Sequence, residues 1–486
     1  MITGKSIAKG ALVVMAATLM SRLFGFIRET QIAKYFGASG DTDAYLVAFS
    51  VPTGIGLAIA AALSAGFIPV LNNYFVLNER DNAAKVTNTL LNIIFLVLLA
   101  LTALGIFFAP SLVARLAPGF GPESVRLTVD LITVMFPSLV FISLMGLAAG
   151  FLNSRQHFLF PALGPMVTSI VIIGSILIWD NSLGIKGLAV GTLVGSTLQL
   201  LVQILVMYQK GFRYKLEFAV FHPGVKKVFK MMAPVLVASL VPLVMVLVEK
   251  GLASKLTTGS ISALNYAFRL MQLPQGLFVM AVSVGLLVLD EPIVRLLFQR
   301  GAFKAKDTIP TAYALAFYSL ALLPLALRDV FRRVFYAVQN TLTPVSLTIG
   351  SFVLNIVLDL FLVKAMGLGG LALGAALSVL AESIILYALL SRRLSGFPQK
   401  SFLTLLLKLA AAAVIMGAAA YYCSKLIGIK FDMGTVRGSM LQVGSSVVVG
   451  FLTYLLVLVV LRVKEIGEAL EMLKGVFKKV VPGKDN

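Results

Sequence analysis

The stretch SRLFGFIRETQIAKYFGASGDTDAYLVAFSVP, Ser21 to Pro52, decides the fold because it carries charge deep into apolar sequence. The apolar run around it opens near Gly10, so Arg22 lies about 12 residues inside. At ~1.5 Å per residue, that is roughly 18 Å into a hydrocarbon core of about 30 Å. Arg28 follows in the same run, and Asp43 opens the next one. Because an arginine at a helix centre costs ~2.5 to 3.5 kcal/mol to insert, Arg22 predicts a wet cavity or a partner.

The rest of the composition indicates an all-α polytopic membrane protein. Of 486 residues, 59% are hydrophobic and 13% charged, and the mean hydropathy is +0.97. Short polar breaks separate apolar runs of a length that spans a bilayer. We count thirteen predicted spans: 10–36, 43–72, 86–112, 128–151, 159–179, 185–208, 231–254, 262–289, 309–338, 344–364, 369–391, 402–425 and 438–463.

The net charge of +20 does not indicate a nucleic-acid partner, since the basic residues cluster between apolar runs. The segment from Lys210 to Lys230 has six basic residues against Glu217 alone, and the tail after Arg462 is lysine-rich. By the positive-inside rule both lie in the cytoplasm. We therefore expect cytoplasmic N- and C-termini and a plasma-membrane location.

An internal repeat predicts two parallel lobes. QHFLFP from Gln156 matches QNTLTP from Gln339, an offset of 183 residues, whereas DAYLVAFSVP from Asp43 matches NYAFRLMQLP from Asn265, an offset of 222. The second copy is therefore shorter by 222 minus 183, or 39 residues, between Pro274 and Gln339. Parallel repeats of this kind build transporters with a binding site between the two halves.

The repeat and the charge pattern together predict the domain organisation. We expect an N-terminal lobe, a basic cytoplasmic linker, a shortened C-terminal lobe, two additional spans and a cytoplasmic tail: 1–212, 213–230, 231–397, 398–463 and 464–486. The number of predicted spans conflicts with this scheme between residues 286 and 308. Counted from a cytoplasmic N-terminus, the eighth span ends inside near Asp290, but counted back from a cytoplasmic C-terminus, the residues around Lys304 lie outside. That segment must cross, re-enter or remain strained, or else the arginines at 328, 332 and 333 lie outside against the charge rule.

Two groups of intramembrane polar residues are candidate sites. Arg269 lies in the repeat of the Asp43 segment, so Arg22, Arg28 and Arg269 are predicted to converge on one cavity and bind a phosphate or pyrophosphate. Asp43 would orient one guanidinium or prevent the site from holding its anion permanently. The alternative is structural pairing or snorkelling.

The second group suits ion coupling. Asn355 and Asp359 share one helix face, and with Glu249 they would suit a sodium ion or a proton relay. An equally weighted alternative is structural: Asp359 would pair with Lys364 at the membrane interface, and Asn355 would form a hydrogen bond to a neighbouring helix. No motif for ATP hydrolysis, nucleophilic catalysis or a resident metal occurs, so we expect no enzymatic activity and no cofactor besides a sodium ion or proton.

The segment from Ser21 to Pro52 resembles the opening of the MurJ/MviN lipid II flippases, and ALNYAFRLMQLPQGLFVMAVS from Ala263 and EPIVRLLFQRGAF from Glu291 resemble later motifs of that family. The resemblance implies a MATE-like exporter fold of fourteen helices, one more than predicted here, with two C-terminal helices forming a groove for the lipid tail. It also implies that Arg22, Arg28, Asp43 and Arg269 serve flipping, and that Asn355 and Asp359 form a sodium-site pair.

The chain departs from that family after Pro52, where it reads TGIGLAIAAALSAGF in place of an arginine-rich turn followed by Ala-Glu-Gly-Ala. The expected function is translocation of lipid II, with membrane lipids and cell-wall synthesis proteins as partners. The alternatives are a flippase for another lipid-linked oligosaccharide, a MATE-like cation-coupled exporter, and a transport-inactive scaffold.

Overall fold

The computed structural model describes residues 4–179, 182–272, 279–338, 340, 342–393 and 399–463. These residues form helices joined by turns and contain no β-strand, as expected where lipid leaves the backbone to satisfy its own hydrogen bonds. The helices are α1 Gly4–Phe36, α2 Gly40–Val76, α3 Arg80–Phe107, α4 Ala109–Leu116, α5 Pro122–Met135, α6 Ser138–Ser154, α7 Leu159–Trp179, α8 Ile185–Gln209, α9 Pro223–Ala253, α10 Ser260–Gln272, α11 Val279–Val288, α12 Asp290–Phe298, α13 Ala305–Ser319, α14 Leu322–Ala337, α15 Leu342–Met366, α16 Leu368–Arg393, α17 Gln399–Lys430 and α18 Val436–Val460.

The predicted polytopic helical fold is confirmed. Within the described residues, ten helical segments are long and apolar enough to cross a membrane, counting α13 and α14 together as Ala305–Ala337 and leaving out α1. The number is eleven when α5 and α6 count as one bent span. The run at 159–179 coincides with α7. Two other runs are interrupted: 86–112 is divided between α3 and α4, and 128–151 is bent by 40° between α5 and α6. Pro137 lies at the second break, where it has no N–H to continue the ladder.

Close packing divides the chain into two compact units. The first contains the residues up to Tyr266 together with Phe298–Asp307 and Ile356–Leu371. Its centre is α2, which packs against α5, α6 and α9, while α1 packs against α7. A Cβ on Gly146 of α6 would lie 2.3 Å from the Cα of Ala60 on α2, so only glycine permits this approach.

The chain leaves the first unit after Tyr266 and returns to the same place. The ring centroid of Tyr266 lies 5.0 Å from that of Phe298 and 5.7 Å from that of Phe303. Farther on, the amide of Ala302 donates to the Lys34 carbonyl at the end of α1, 2.7 Å away. At ~1.5 Å per residue, α12 is about 14 Å long, too short by itself to cross a ~30 Å core.

The contact between Tyr266 and Phe298 therefore brings the two ends of the segment 266–298 together in the first unit. The predicted eighth span at 262–289 includes residues outside the described ranges, and its course stays a prediction. The alternatives for residues 286–308 stay predictions.

The second unit contains Ala267–Leu297, Thr308–Asn355 and the residues from Ala372 onward. In it, α11 packs against α14 and α17, and α17 packs along α18. A buried core of Phe331, Phe335, Leu386 and Leu390 joins α14 to α16. The lobe and linker boundaries drawn from the repeat stay predictions, Pro274 and Gln339 lie outside the described residues, and so does the predicted tail 464–486.

Candidate functional site

Arg22 lies on the exposed surface of α1 and has no hydrogen-bond or ion-pair partner among the described residues. Its neighbour Ser21 donates a hydrogen bond to the Ala162 carbonyl of α7, with an O–O distance of 2.7 Å, which holds α1 in register. Leu19 and Leu23 are exposed beside it, so the surrounding surface is apolar. A cation in such a setting requires water or an anion.

Arg28 is paired. Its Nη2 lies 2.7 Å from Glu29 Oε1, and the two side chains are 14% and 4% exposed. The other oxygen of Glu29 accepts from the Asn265 side-chain amide at 3.1 Å. The Nε of Arg28 is buried and makes no hydrogen bond with a described residue. Arg28 thus combines the structural pairing that the sequence left open with donor capacity still available for an anion.

Asp43 anchors a helix rather than an arginine. Its carboxylate is buried and accepts from the backbone amides of Gly259 and Ser262, both at 2.7 Å, and from the Ser262 hydroxyl. These groups lie at the start of α10, where the first N–H groups of a helix have no partner within it. The expectation that Asp43 orients a guanidinium is therefore wrong: both of its oxygens hold the N-terminus of α10.

Lys250 is an intramembrane cation that the sequence reasoning missed. From near the end of α9, its Nζ donates to the Leu46 carbonyl of α2 at 2.6 Å and to the Ser50 hydroxyl. The Glu-Lys pair that closes the seventh apolar run was the available signal, but only Glu249 was considered. In the structure Glu249 is half-buried on α9.

Asn355 and Asp359 both lie on α15 and are 5% and 2% exposed. Their spacing of four residues within a continuous helix places them on one face, as predicted. No group of three His, Cys, Asp or Glu side chains suited to a metal occurs among the described residues. Ion binding by Asn355, Asp359 and Glu249 stays a prediction.

The second unit contains Arg269 and an ion-pair cluster that the sequence reasoning did not identify. Arg269 is half-buried in the last turn of α10, and its convergence with Arg22 and Arg28 stays a prediction. In the cluster, the Glu382 side chain is 1% exposed and accepts from Arg332 Nη2 and, at 3.1 Å, from the Thr348 hydroxyl. Arg328 Nη1 lies 3.9 Å from its other oxygen.

The signal for this cluster was Glu382 itself, the one acid in the run 369–391. Its partners are contributed by two other helices, α14 and α15, at sequence separations of 50 and 34 residues. Sequence spacing alone does not relate such distant positions.

Comparison with known proteins gives consistent results. A family model described as lipid II flippase MurJ matches residues 32–287 and 280–437. The lipid II flippase MurJ of Burkholderia cenocepacia is 29% identical, with 89% of this chain and 92% of that protein covered. The probable lipid II flippase MurJ of Vibrio cholerae is 27% identical, with 96% and 99% covered.

Solved structures give the same result. A lipid II flippase MurJ in an inward closed conformation superposes with a TM-score of 0.78 at 27% identity, covering 94% of this chain and 100% of the other. An inward-facing MATE-family multidrug resistance transporter of the MOP superfamily superposes with a TM-score of 0.64 at 15% identity, covering 79% and 98%. The second likeness shows the fold alone.

Proposed function

Because the chain belongs to the MurJ family of lipid II flippases, we propose that it moves lipid II, the undecaprenyl-diphosphate-linked peptidoglycan precursor, from the inner to the outer leaflet of the bacterial plasma membrane. The observation that carries this proposal is the family match over most of the chain. The superposition on a solved MurJ along the full length of that chain supports it. The activity is transport, in which no covalent bond is made or broken.

The proposed mechanism is alternating access with arginine capture of the diphosphate. Arg22, Arg28 and Arg269 would bind the headgroup, because a guanidinium presents paired donors that match phosphate oxygens. Supporting this role, Arg22 is unpaired among the described residues, and Arg28 uses only Nη2 for its glutamate. The polyprenyl tail would remain in lipid along α17 and α18, which expose many large aliphatic side chains.

The coupling ion is part of the proposal. Asn355, Asp359 and Glu249 would hold a sodium ion or relay a proton, since oxygen ligands inside the membrane are rare and costly without such a role. The membrane potential contributes ~2.3 kcal/mol per elementary charge per 100 mV.

Both termini would lie in the cytoplasm. In the proposed topology residues 260–298 enter and leave on one side of the membrane, so that α1 and up to eleven candidate spans would make an even number of crossings and bring the two ends to one side. The basic segment from Lys210 to Lys230 supports the cytoplasm as that side. Proteins of cell-wall synthesis are the proposed partners there and at the outer face.

The test is a flipping assay in vesicles. Purified protein is reconstituted with fluorescent lipid II, and a membrane-impermeant quencher reports its arrival in the outer leaflet. Arg22→Ala is expected to slow flipping at least about tenfold, since a charge-assisted hydrogen bond contributes ~1.5 to 3 kcal/mol. Arg126→Ala, an exposed arginine on α5 of the same unit, is the matched control. Flipping no faster than in protein-free vesicles contradicts the proposal.

A complementation experiment separates the alternatives. Arg269→Ala is expected to fail in a flippase-depleted strain, and full complementation would remove Arg269 from the site. In the vesicle assay, unlabelled lipid II should compete, whereas an undecaprenyl-linked oligosaccharide without the peptide should compete poorly. Equal competition would favour the broader substrate class.

A further inference from the structure

A cluster of basic residues lies where α3, α6 and α8 meet one end of the first unit. Arg155 caps α6, His157 follows it, Lys210 caps α8 and Arg80 begins α3. Burial first, and then repulsion from Lys210 and Arg155, lowers the pKa of His157. Burial and repulsion from Arg80 likewise lower the pKa of Arg155. Arg80 has Glu79 and Asp81 beside it in the sequence, whereas Arg155 and Lys210 make no ion pair with a described residue, so positive charge predominates around His157 and favours an anion.

Arg155 has the hydrogen-bonding capacity to hold that anion. Its guanidinium makes no hydrogen bond or ion pair with any described residue, and its Nε is buried. The group is nevertheless held in place, because its Cζ lies 4.2 Å from the ring centroid of Phe75 and 5.8 Å from that of Phe151. A guanidinium that is oriented by aromatic rings, with its donors unused, is suited to bidentate binding of a phosphate.

The same aromatic stack leads from Arg155 to an apolar cavity. The ring of Phe151 lies 5.7 Å from that of Phe212, which lies 5.5 Å from that of Tyr208. Phe212 and Tyr208 form one wall of a cavity of about 260 Å³, whose remaining lining, including Phe95 and Ala148, is mostly aliphatic. Phe95 is also 41% exposed on the outer surface of α3, so the cavity opens among lipid tails.

The polypeptide beyond this cavity is an interfacial strap, residues 212–221. Asn88 and Asn92 of α3 fasten it: the Asn88 side chain pairs with the backbone of residues 213 and 215, and the Asn92 amide donates to the Glu217 carbonyl at 2.9 Å. The strap exposes large apolar side chains, with Phe221 84% exposed, next to lysines. Exposed aromatic and basic residues in one segment are typical of the membrane surface.

We propose that this cluster and cavity form a binding site for one anionic phospholipid, with its phosphate on Arg155 and Lys210 and part of an acyl chain in the cavity. The site is separate from the lipid II path and does not rest on the flipping mechanism. Inorganic phosphate would occupy only the basic cluster and leave the apolar cavity empty. A drug-sized ligand is also a poor match, because the cavity is smaller than the ~300 to 1,000 Å³ of the pockets that bind such ligands.

The repeat gives independent support for a specialised site. The offset of 183 residues pairs Lys210 with Arg393 but Arg155 with Val338, an exposed apolar residue, so the second half has no counterpart of the Arg155 guanidinium. The guanidinium on the aromatic stack is thus particular to the first copy rather than a general property of the repeated fold.

Native mass spectrometry of the purified protein tests the site with phosphatidylglycerol and phosphatidylcholine of identical acyl chains. The unaltered protein is expected to bind its first phosphatidylglycerol about tenfold more tightly than phosphatidylcholine. Arg155→Gln should abolish that preference. Ala148→Met should fill the cavity and weaken both lipids. Arg115→Gln, an exposed arginine on α4, should behave as the unaltered protein. An unchanged preference in Arg155→Gln, or unchanged binding in Ala148→Met, overturns the proposal.

A second measurement does not depend on the variants folding. The chain has two histidines, so NMR of the imidazole resonances can follow His157 separately from His222. Phosphatidylglycerol in a nanodisc should raise the pKa of His157 by neutralising the charge around it, relative to phosphatidylcholine. Inorganic phosphate at millimolar concentration should have a much smaller effect. An equal shift with inorganic phosphate, or no shift with phosphatidylglycerol, contradicts a lipid site, whether or not the protein flips lipid II.

Discussion

Removal of the Asp43 carboxylate is expected to release the N-terminus of α10. In Asp43→Ala, the backbone amides of Gly259 and Ser262 lose their 2.7 Å acceptors in a buried setting. Each buried N–H left without an acceptor costs ~1 to 3 kcal/mol, so we expect a loss of about 3 kcal/mol. Asp43→Asn keeps one acceptor oxygen, and its loss should be about half as large. At roughly 2 °C per kcal/mol, Asp43→Ala lowers Tm by about 6 °C.

The assay is thermal unfolding in detergent, with Asp41→Ala as the matched control. Asp41 lies in the same first turn of α2 but is exposed, so its removal loses only an interaction with the helix dipole of ~0.3 to 1 kcal/mol. Equal Tm values for Asp43→Ala and Asp41→Ala would refute the anchoring role. Below its transition, Asp43→Asn should retain flipping; a folded but inactive variant would instead show that Asp43 contacts substrate.

Four other outcomes follow from the same structure. Glu382→Ala should destabilise the protein by about 3 to 5 kcal/mol in chemical denaturation, and the double variant Glu382→Leu, Arg332→Leu should recover most of that loss. Because the folded-state pKa of His157 is lowered, its protonation should reduce stability as the pH falls below the unfolded value of about 6.5, measurable by thermal unfolding against His157→Asn. Gly301→Val, at φ +61°, should lower Tm, since a Cβ would meet an α1 carbonyl at 2.2 Å. Arg22→Leu should raise Tm while slowing flipping.

The sequence predicted the helices well because transfer of an apolar segment into lipid is a local property. The run at 159–179 reproduces α7 to the residue. Its 21 residues are mostly apolar and their only polar side chains, apart from the Trp179 indole, are small hydroxyls, so a helix that satisfies its own backbone hydrogen bonds is the favoured structure in lipid. The interruptions were less evident. The 40° bend between α5 and α6 lies inside one apolar run, and the two helices together meet the same length and composition criteria as an unbroken span.

The roles of the polar residues were harder to predict because their partners are remote. Asp43 contacts Ser262, 219 residues away, so its acidity suggested a nearby arginine when the structure supplies backbone amides. The contact between Tyr266 and Phe298 is likewise one that no local pattern encodes. Hydropathy counts the cost of placing a charge in lipid, but it does not identify which distant group compensates for it.

The arginines of this chain fall into two physical classes, and the classes separate stability from function. Arg28 and Arg332 lie beside buried carboxylates, and removing either leaves an acid without its counter-charge, which is strongly destabilising. Arg22 and Arg155 have no such partner among the described residues, so neither repays its own desolvation within the fold. A charge of that kind requires water or an external anion, and the proposed ligands supply the anion. The diphosphate of lipid II fits this description for Arg22, and a phospholipid headgroup fits it for Arg155.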